Sequence, residues 1–164
     1  MNELTALASR LVARMNGAGL QVATAESCSG GWIAKALTDV PGSSGCFAYG
    51  IVSYSNEAKQ SLLGVSGETL EQFGAVSEQV VREMAQGALK LSGADFAVAV
   101  SGIAGPEGGS ADKPVGTVWF AWAVRSGEVQ VKQCLLDGDR EAVRAGTVAL
   151  ALKKLLDILE SRGD

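Results

Sequence analysis

The chain has 164 residues, 47% of them hydrophobic and 20% charged, which suits one folded domain with a sizeable core and excludes a disordered one. Its net charge of −4 has the wrong sign for a general nucleic-acid binder, which leaves a basic footprint. There is no histidine, which excludes a Ser-His-Asp triad, a Cys-His pair and any His-ligated zinc site.

In chain order, Met1-Asn2-Glu3-Leu4-Thr5 has no basic region ahead of a hydrophobic run, so no signal peptide is expected. Leu4, Leu7, Ala8, Leu11, Val12 and Met15 recur at helical spacing and predict an amphipathic helix ending near Gly17 and Gly19. Leu20 to Ala25 reads as a buried strand, Gly30 to Leu37 as a helix, and Asp39 to Ser44 as a loop. Cys46 to Tyr54 is aromatic and β-branched, hence a strand, and Ser55-Asn56-Glu57-Ala58-Lys59 opens a helix with a polar cap and an acidic first turn. A short helix is expected over Glu68 to Gln72. Ser77 caps the next, which carries Val80, Val81, Met84, Ala88 and Leu91 on its apolar side.

Asp95 to Ser101 is the near-continuous apolar run of a central strand covered on both faces. A glycine-rich loop spans 102–114. Val115 to Val124 and Glu128 to Leu136 then form a hairpin turning at Ser126-Gly127. Asp139 caps a last helix with Val143, Val148, Leu152, Leu155, Leu156 and Leu159 inward. The order α-β-α-β-α-α-β-β-β-α implies an α/β fold in one domain, 1–164, with helices on both faces of a mixed sheet. Trp32 is expected in the core, and the hairpin tryptophans Trp119 and Trp122 either there or on a dimer surface. Cys28, Cys46 and Cys134 match no metal knuckle or disulfide framework and read as free thiols of a reducing, cytoplasmic setting. No apolar run is long enough to span a membrane.

Three loops follow predicted strands, and in open α/β sheets ligands sit beyond the carboxyl ends of strands. Glu26 to Gly31 offers a hydroxyl, a thiol, a second hydroxyl and two glycines at a helix N-terminus. Either Ser27 is a nucleophile served by nearby backbone N–H groups, or Ser27 or Ser29 caps the helix. Cys28 is a rival nucleophile. Without histidine, a lysine, a tyrosine or a carboxylate must take the proton. Tyr54 to Lys59 supplies two of these, and both the helix dipole and burial would loosen the lysine's hold on its proton. Glu26 either orients Lys59 or is a solvated helix-start carboxylate. Ser101 to Pro114 clusters glycines with Ser110 and Lys113, as an anion-binding nest does, without P-loop spacing. Arg140 and Arg144, one helical turn apart, are either phosphate contacts or ordinary surface arginines.

Five motifs in order, spread over nearly the whole chain, resemble one family. They are Thr24-Ala25-Glu26-Ser27-Cys28-Ser29-Gly30-Gly31, Tyr54-Ser55-Asn56-Glu57-Ala58-Lys59, Gly74-Ala75-Val76-Ser77, Ser101-Gly102-Ile103-Ala104-Gly105-Pro106 with Gly108-Gly109, and Lys113-Pro114-Val115-Gly116-Thr117-Val118. The chain resembles the C-terminal domain of the competence-damage-inducible protein CinA, also found as a stand-alone nicotinamide-nucleotide amidohydrolase. Many members carry Thr where this chain has Ser29, which retains the hydroxyl. The resemblance implies a three-layer α/β/α sandwich whose mixed, mostly parallel sheet has about five strands. It implies hydrolysis of the carboxamide of nicotinamide mononucleotide to nicotinic acid mononucleotide and ammonia, with Ser27, Tyr54 and Lys59 catalytic, no metal and no cofactor.

In that scheme Lys59 takes the proton of Ser27 directly or through Tyr54. Glu26, Cys28, Ser29, Gly30 and Gly31, with Gly105, Gly108, Gly109 and Ser110, are expected to bind substrate, the second group at the ribose or phosphate. The partner is a small nucleotide, not nucleic acid or membrane, and the chain is expected to form a homodimer. The competing reading is a nucleotide-binding module of the same fold without catalysis.

Overall fold

In the computed structural model, residues 2–162 are described; Met1, Gly163 and Asp164, at the limits of the expected domain, lie outside them. The elements are α1 (Glu3–Ala18), β1 (Val22–Glu26), α2 (Trp32–Thr38), a 3-10 turn (Ser43–Gly45), β2 (Phe47–Val52), α3 (Asn56–Leu63), α4 (Gly67–Phe73), α5 (Glu78–Ser92), β3 (Phe96–Gly102), β4 (Thr117–Val124), β5 (Val129–Leu135) and α6 (Arg140–Ser161). Helix starts fall where polar side chains meet free N–H groups: Asn2, Ser55, Ser66, Ser77 and Asp139 each accept a backbone N–H of the first turn. The short turn within 43–45 occupies part of what the sequence reads as loop.

The sheet order is β2-β1-β3-β4-β5. β1 pairs parallel with β2 and β3, and β4 is antiparallel to both β3 and β5. Only β4 therefore runs against the rest, which is the mixed, mostly parallel sheet of the expected sandwich. α1, α2 and α6 cover one face over Val22, Val98, Val100, Phe120 and Trp122. α3, α4 and α5 cover the other over Ala23, Ala25, Ala97, Ala99, Ala121 and Ala123. The alternation in β3, Phe96-Ala-Val-Ala-Val100, divides large from small side chains, since successive residues point to opposite faces. Trp122 is core: it is 1% exposed and its indole N–H donates to the Ala151 carbonyl at 3.1 Å. Trp119 and Trp32 are half-buried. Among the described residues, no helix is long and apolar enough to cross a membrane.

The register decides what happens at one end of the sheet. Glu26 of β1 lies level with Val52 of β2 and Val100 of β3. The next residues, Ser27, Ser53 and Ser101, therefore lie side by side where β1 and β2 end and β3 has one residue left to run, and all three are buried.

Candidate active site

Ser27 is held at the end of β1 by its own N–H, which donates to the Val100 carbonyl at 3.1 Å. The chain then reverses within four residues, closing with the Gly30 N–H on the Ser27 carbonyl at 3.0 Å. Gly30 and Gly31 have φ of 59° and 98°, left-handed backbone that a side chain would strain. Two side chains, one buried and one half-buried, lock this turn from behind. The Glu26 carboxylate accepts the Ser29 hydroxyl at 2.6 Å, the Ile33 N–H at 2.8 Å and the Ala34 N–H at 3.0 Å, serving the α2 N-terminus that Gly31 has no side chain to cap. Arg144 reaches from α6, donating to the Cys28 and Ser29 carbonyls at 3.1 Å each, with its guanidinium over the Trp32 ring.

Lys59 comes from the first turn of α3, whose N-cap Ser55 accepts the Ala58 N–H at 3.0 Å. It is 1% exposed. Its Nζ lies 2.8 Å from Ser27 Oγ, 2.8 Å from the Ser53 carbonyl and 3.4 Å from the Tyr54 carbonyl. No carboxylate forms an ion pair with it among the described residues. Burial without a counter-charge pulls its pKa down from 10.5 to about 8, because the charged form loses its water. A neutral amine has two N–H donors and one lone pair. The three contacts match that set, with two carbonyls receiving N–H and one hydroxyl able to give its proton to nitrogen.

Cys28, beside Ser27 and 6% exposed, is a poor rival nucleophile. Burial foremost pushes its thiol up to about 11, opposed next by its own backbone hydrogen bond, with lesser effects from the Glu26 carboxylate, which raises it, and from Arg144 and Lys59, which lower it. The reactive form, the thiolate, is scarce at neutral pH.

A cavity of about 290 Å³ opens over the Ser27–Lys59 contact. Ser27, Cys28, Tyr54, Asn56 and Lys59 form one wall; Ala75 and Val76 another; Ser101 to Gly105, Glu107, Gly108 and Arg140 the remainder. The long loop keeps this wall in place through Ile103, whose N–H donates to the Thr117 carbonyl at 2.9 Å and whose carbonyl accepts the Gly116 N–H at 2.8 Å. Lys113 ties the loop to α4 through the Phe73 carbonyl at 2.7 Å. Gly105 is required here, since any Cβ at this position would run into the Val115 side chain.

The structure thus gathers Ser27, Cys28, Tyr54, Lys59, Gly105 and Gly108 around one cavity, and leaves the other expected binding residues off its wall. Glu26 neither orients Lys59 nor faces solvent; it is 1% exposed and spent on the α2 N-terminus. Ser29 is fully buried against Glu26. Gly30 and Gly31 lie behind the turn, against Arg144 and Val52. Gly109 folds back on Val115, and Ser110 closes a local turn with Lys113. Tyr54 is 61% exposed, and its phenol oxygen accepts Arg140 at 3.1 Å. Its contact with Lys59 is through the main-chain carbonyl, so serine and lysine meet without a bridging phenol. The two arginines of α6 part company: Arg144 braces the turn, whereas Arg140 stands on the cavity rim, also donating to the Gly105 carbonyl at 2.8 Å. Asn56, Ala75 and Val76 lie within motifs singled out by sequence, but nothing in their chemistry assigns them to the wall. Glu107 has no signal in the sequence beyond the loop that carries it.

Residues 4–159 match the model of the CinA C-terminal domain. The chain is 54% identical over 154 residues to the nicotinamide-nucleotide amidohydrolase PncC of Escherichia coli K12, covering 94% of this chain and 93% of that one. It is 54% identical over 158 residues to the PncC of Pseudomonas putida, covering 96% and 98%. The crystal structure of the competence/damage inducible protein CihA from Agrobacterium tumefaciens superposes with a TM-score of 0.94 at 48% identity, covering 98% of this chain and 97% of that one.

Proposed function

The chain belongs to the CinA C-terminal domain family, and on that basis we propose that it is a nicotinamide-nucleotide amidohydrolase, converting nicotinamide mononucleotide and water to nicotinic acid mononucleotide and ammonia by way of an acyl group on Ser27. The substrate class follows the PncC relatives, which match this chain along nearly their whole length. The observation that carries the mechanism is the 2.8 Å approach of Lys59 Nζ to Ser27 Oγ, both side chains buried and the lysine without an ion-pair partner among the described residues.

Neutral Lys59 accepts the Ser27 proton as Oγ attacks the amide carbon, and the tetrahedral intermediate places negative charge on the former carbonyl oxygen. The backbone N–H of Cys28, which lines the cavity beside Ser27, is the donor proposed to meet that charge. The Lys59 ammonium returns its proton to the departing nitrogen, the C–N bond breaks and ammonia leaves. Water then attacks the ester with Lys59 again as base, releasing the carboxylic acid and restoring the serine. The carbonyls of Ser53 and Tyr54 hold the amine in place through both steps. Arg140 at the rim is the group proposed to meet the substrate phosphate.

Ammonia release from nicotinamide mononucleotide tests this directly. Ser27→Ala and Lys59→Ala are expected to abolish it, whereas Cys28→Ala should retain it within about threefold, since the thiol stays protonated. Full activity in Ser27→Ala, or loss confined to Cys28→Ala, would move the nucleophile. Calorimetric binding of the nucleotide by the wild-type chain with no ammonia evolved over hours would make the domain a binding module instead.

A further inference from the structure

Among the described residues, three charged side chains line the cavity: Lys59, Arg140 and Glu107. Lys59 must be neutral to act as base, which leaves one cation and one anion at the mouth. Arg140 is already tied to Tyr54 and Gly105. Glu107 is exposed on the rim and forms no hydrogen bond or ion pair among the described residues. It is also absent from the groups that shift Lys59, so its charge does not hold the proton on the amine. An unpaired carboxylate facing a ligand cavity invites a cationic group of the ligand.

We propose that Glu107 is a specificity-determining residue that selects substrates whose amide-bearing ring is positively charged, its carboxylate facing the pyridinium while Arg140 faces the phosphate. The inference rests on the substrate reading given above. A nicotinamide mononucleotide is cationic at the ring and anionic at the phosphate, and the rim carries one group of each opposite sign. Attraction across a solvent-exposed mouth is modest, so Glu107 tunes preference and leaves the chemical step to Ser27 and Lys59.

The test compares two ligands that share the carboxamide, ribose and phosphate and differ in ring charge: nicotinamide mononucleotide and its 1,4-dihydro form. kcat/KM is measured for the first and the inhibition constant for the second, in wild type, Glu107→Gln and Glu107→Lys. Glu107→Gln is expected to lower kcat/KM for the cationic substrate by about 3- to 10-fold and Glu107→Lys by more, with the inhibition constant of the uncharged analogue unchanged in Glu107→Gln. The wild-type preference should weaken as salt is raised, and that of Glu107→Gln should not. Equal changes for the two ligands, or no change for the cationic one, would overturn the proposal, the latter also if Gln merely preserved a hydrogen bond to ribose. A wild-type chain that releases no ammonia from nicotinamide mononucleotide would instead overturn the amidohydrolase reading itself.

Discussion

Titration of Lys59 should govern the rate. Its folded-state pKa of about 8 means that roughly one molecule in ten carries the neutral amine at pH 7 and one in a hundred at pH 6. If that amine is the base, kcat/KM rises about tenfold per pH unit below about 7.5 and levels off above about 8.5. The phosphate of the substrate has its second ionisation near pH 6, well separated from this limb. In the complex, a pyridinium near the amine repels the ammonium, so the limb in kcat should fall at lower pH than the limb in kcat/KM. Lys59→Arg removes the limb together with the activity, since a guanidinium stays protonated throughout. Steady-state ammonia release between pH 5.5 and 9.5 in a constant-ionic-strength buffer reads all of this. A flat profile from pH 6 to 9, or a rate that falls as pH rises through 8, would refute a lysine base.

The same burial has a stability signature. A shift from 10.5 to about 8 corresponds to about 3 kcal/mol against folding. The unfolded chain keeps the proton longer, so this penalty is present in full below pH 8 and disappears by about pH 10.5. Urea denaturation should show wild type gaining up to about 3 kcal/mol on Lys59→Met across that window; parallel curves would contradict it. Glu26→Gln retains the shape but gives up the charge and one of the two acceptor oxygens at the α2 N-terminus, with an expected loss of about 1–3 kcal/mol in thermal or urea denaturation. A loss below about 0.5 kcal/mol would show that the carboxylate is not what fastens the turn. Tyr54→Phe keeps the main-chain carbonyl at Lys59 and should cost kcat about tenfold or less. A fall of about a hundredfold or more would put the phenol in the proton path.

The elements were legible because their signals are local. Polar caps at Ser55, Ser77 and Asp139, glycines at helix ends, and the apolar run of β3 each act within a few residues of themselves. The serine and lysine were legible as candidates because each follows a strand, and the absence of histidine narrowed the base. Glu26 is not legible in this way, because a carboxylate one residue before a serine looks the same in sequence whether it faces substrate or reaches seven residues forward to a helix end. For Gly30, Gly31 and Gly109 composition does not decide the matter, since a glycine in a tight turn serves the backbone and does not have to face a ligand.

By itself, then, the sequence determined the order of helices and strands, the want of any imidazole and the placing of Ser27 and Lys59 just after two separate strands. Only the tertiary structure decided that the two side chains touch, that the phenol of Tyr54 turns to Arg140, and which α6 arginine reaches the cavity. The reason is that those outcomes depend on strand register and on how helices lie across the sheet, which join residues 32, 86 and 116 positions apart. Burial of Lys59 without an ion-pair partner among the described residues, the property on which the chemistry turns, is likewise set by the surrounding fold and by no feature of the residues flanking it.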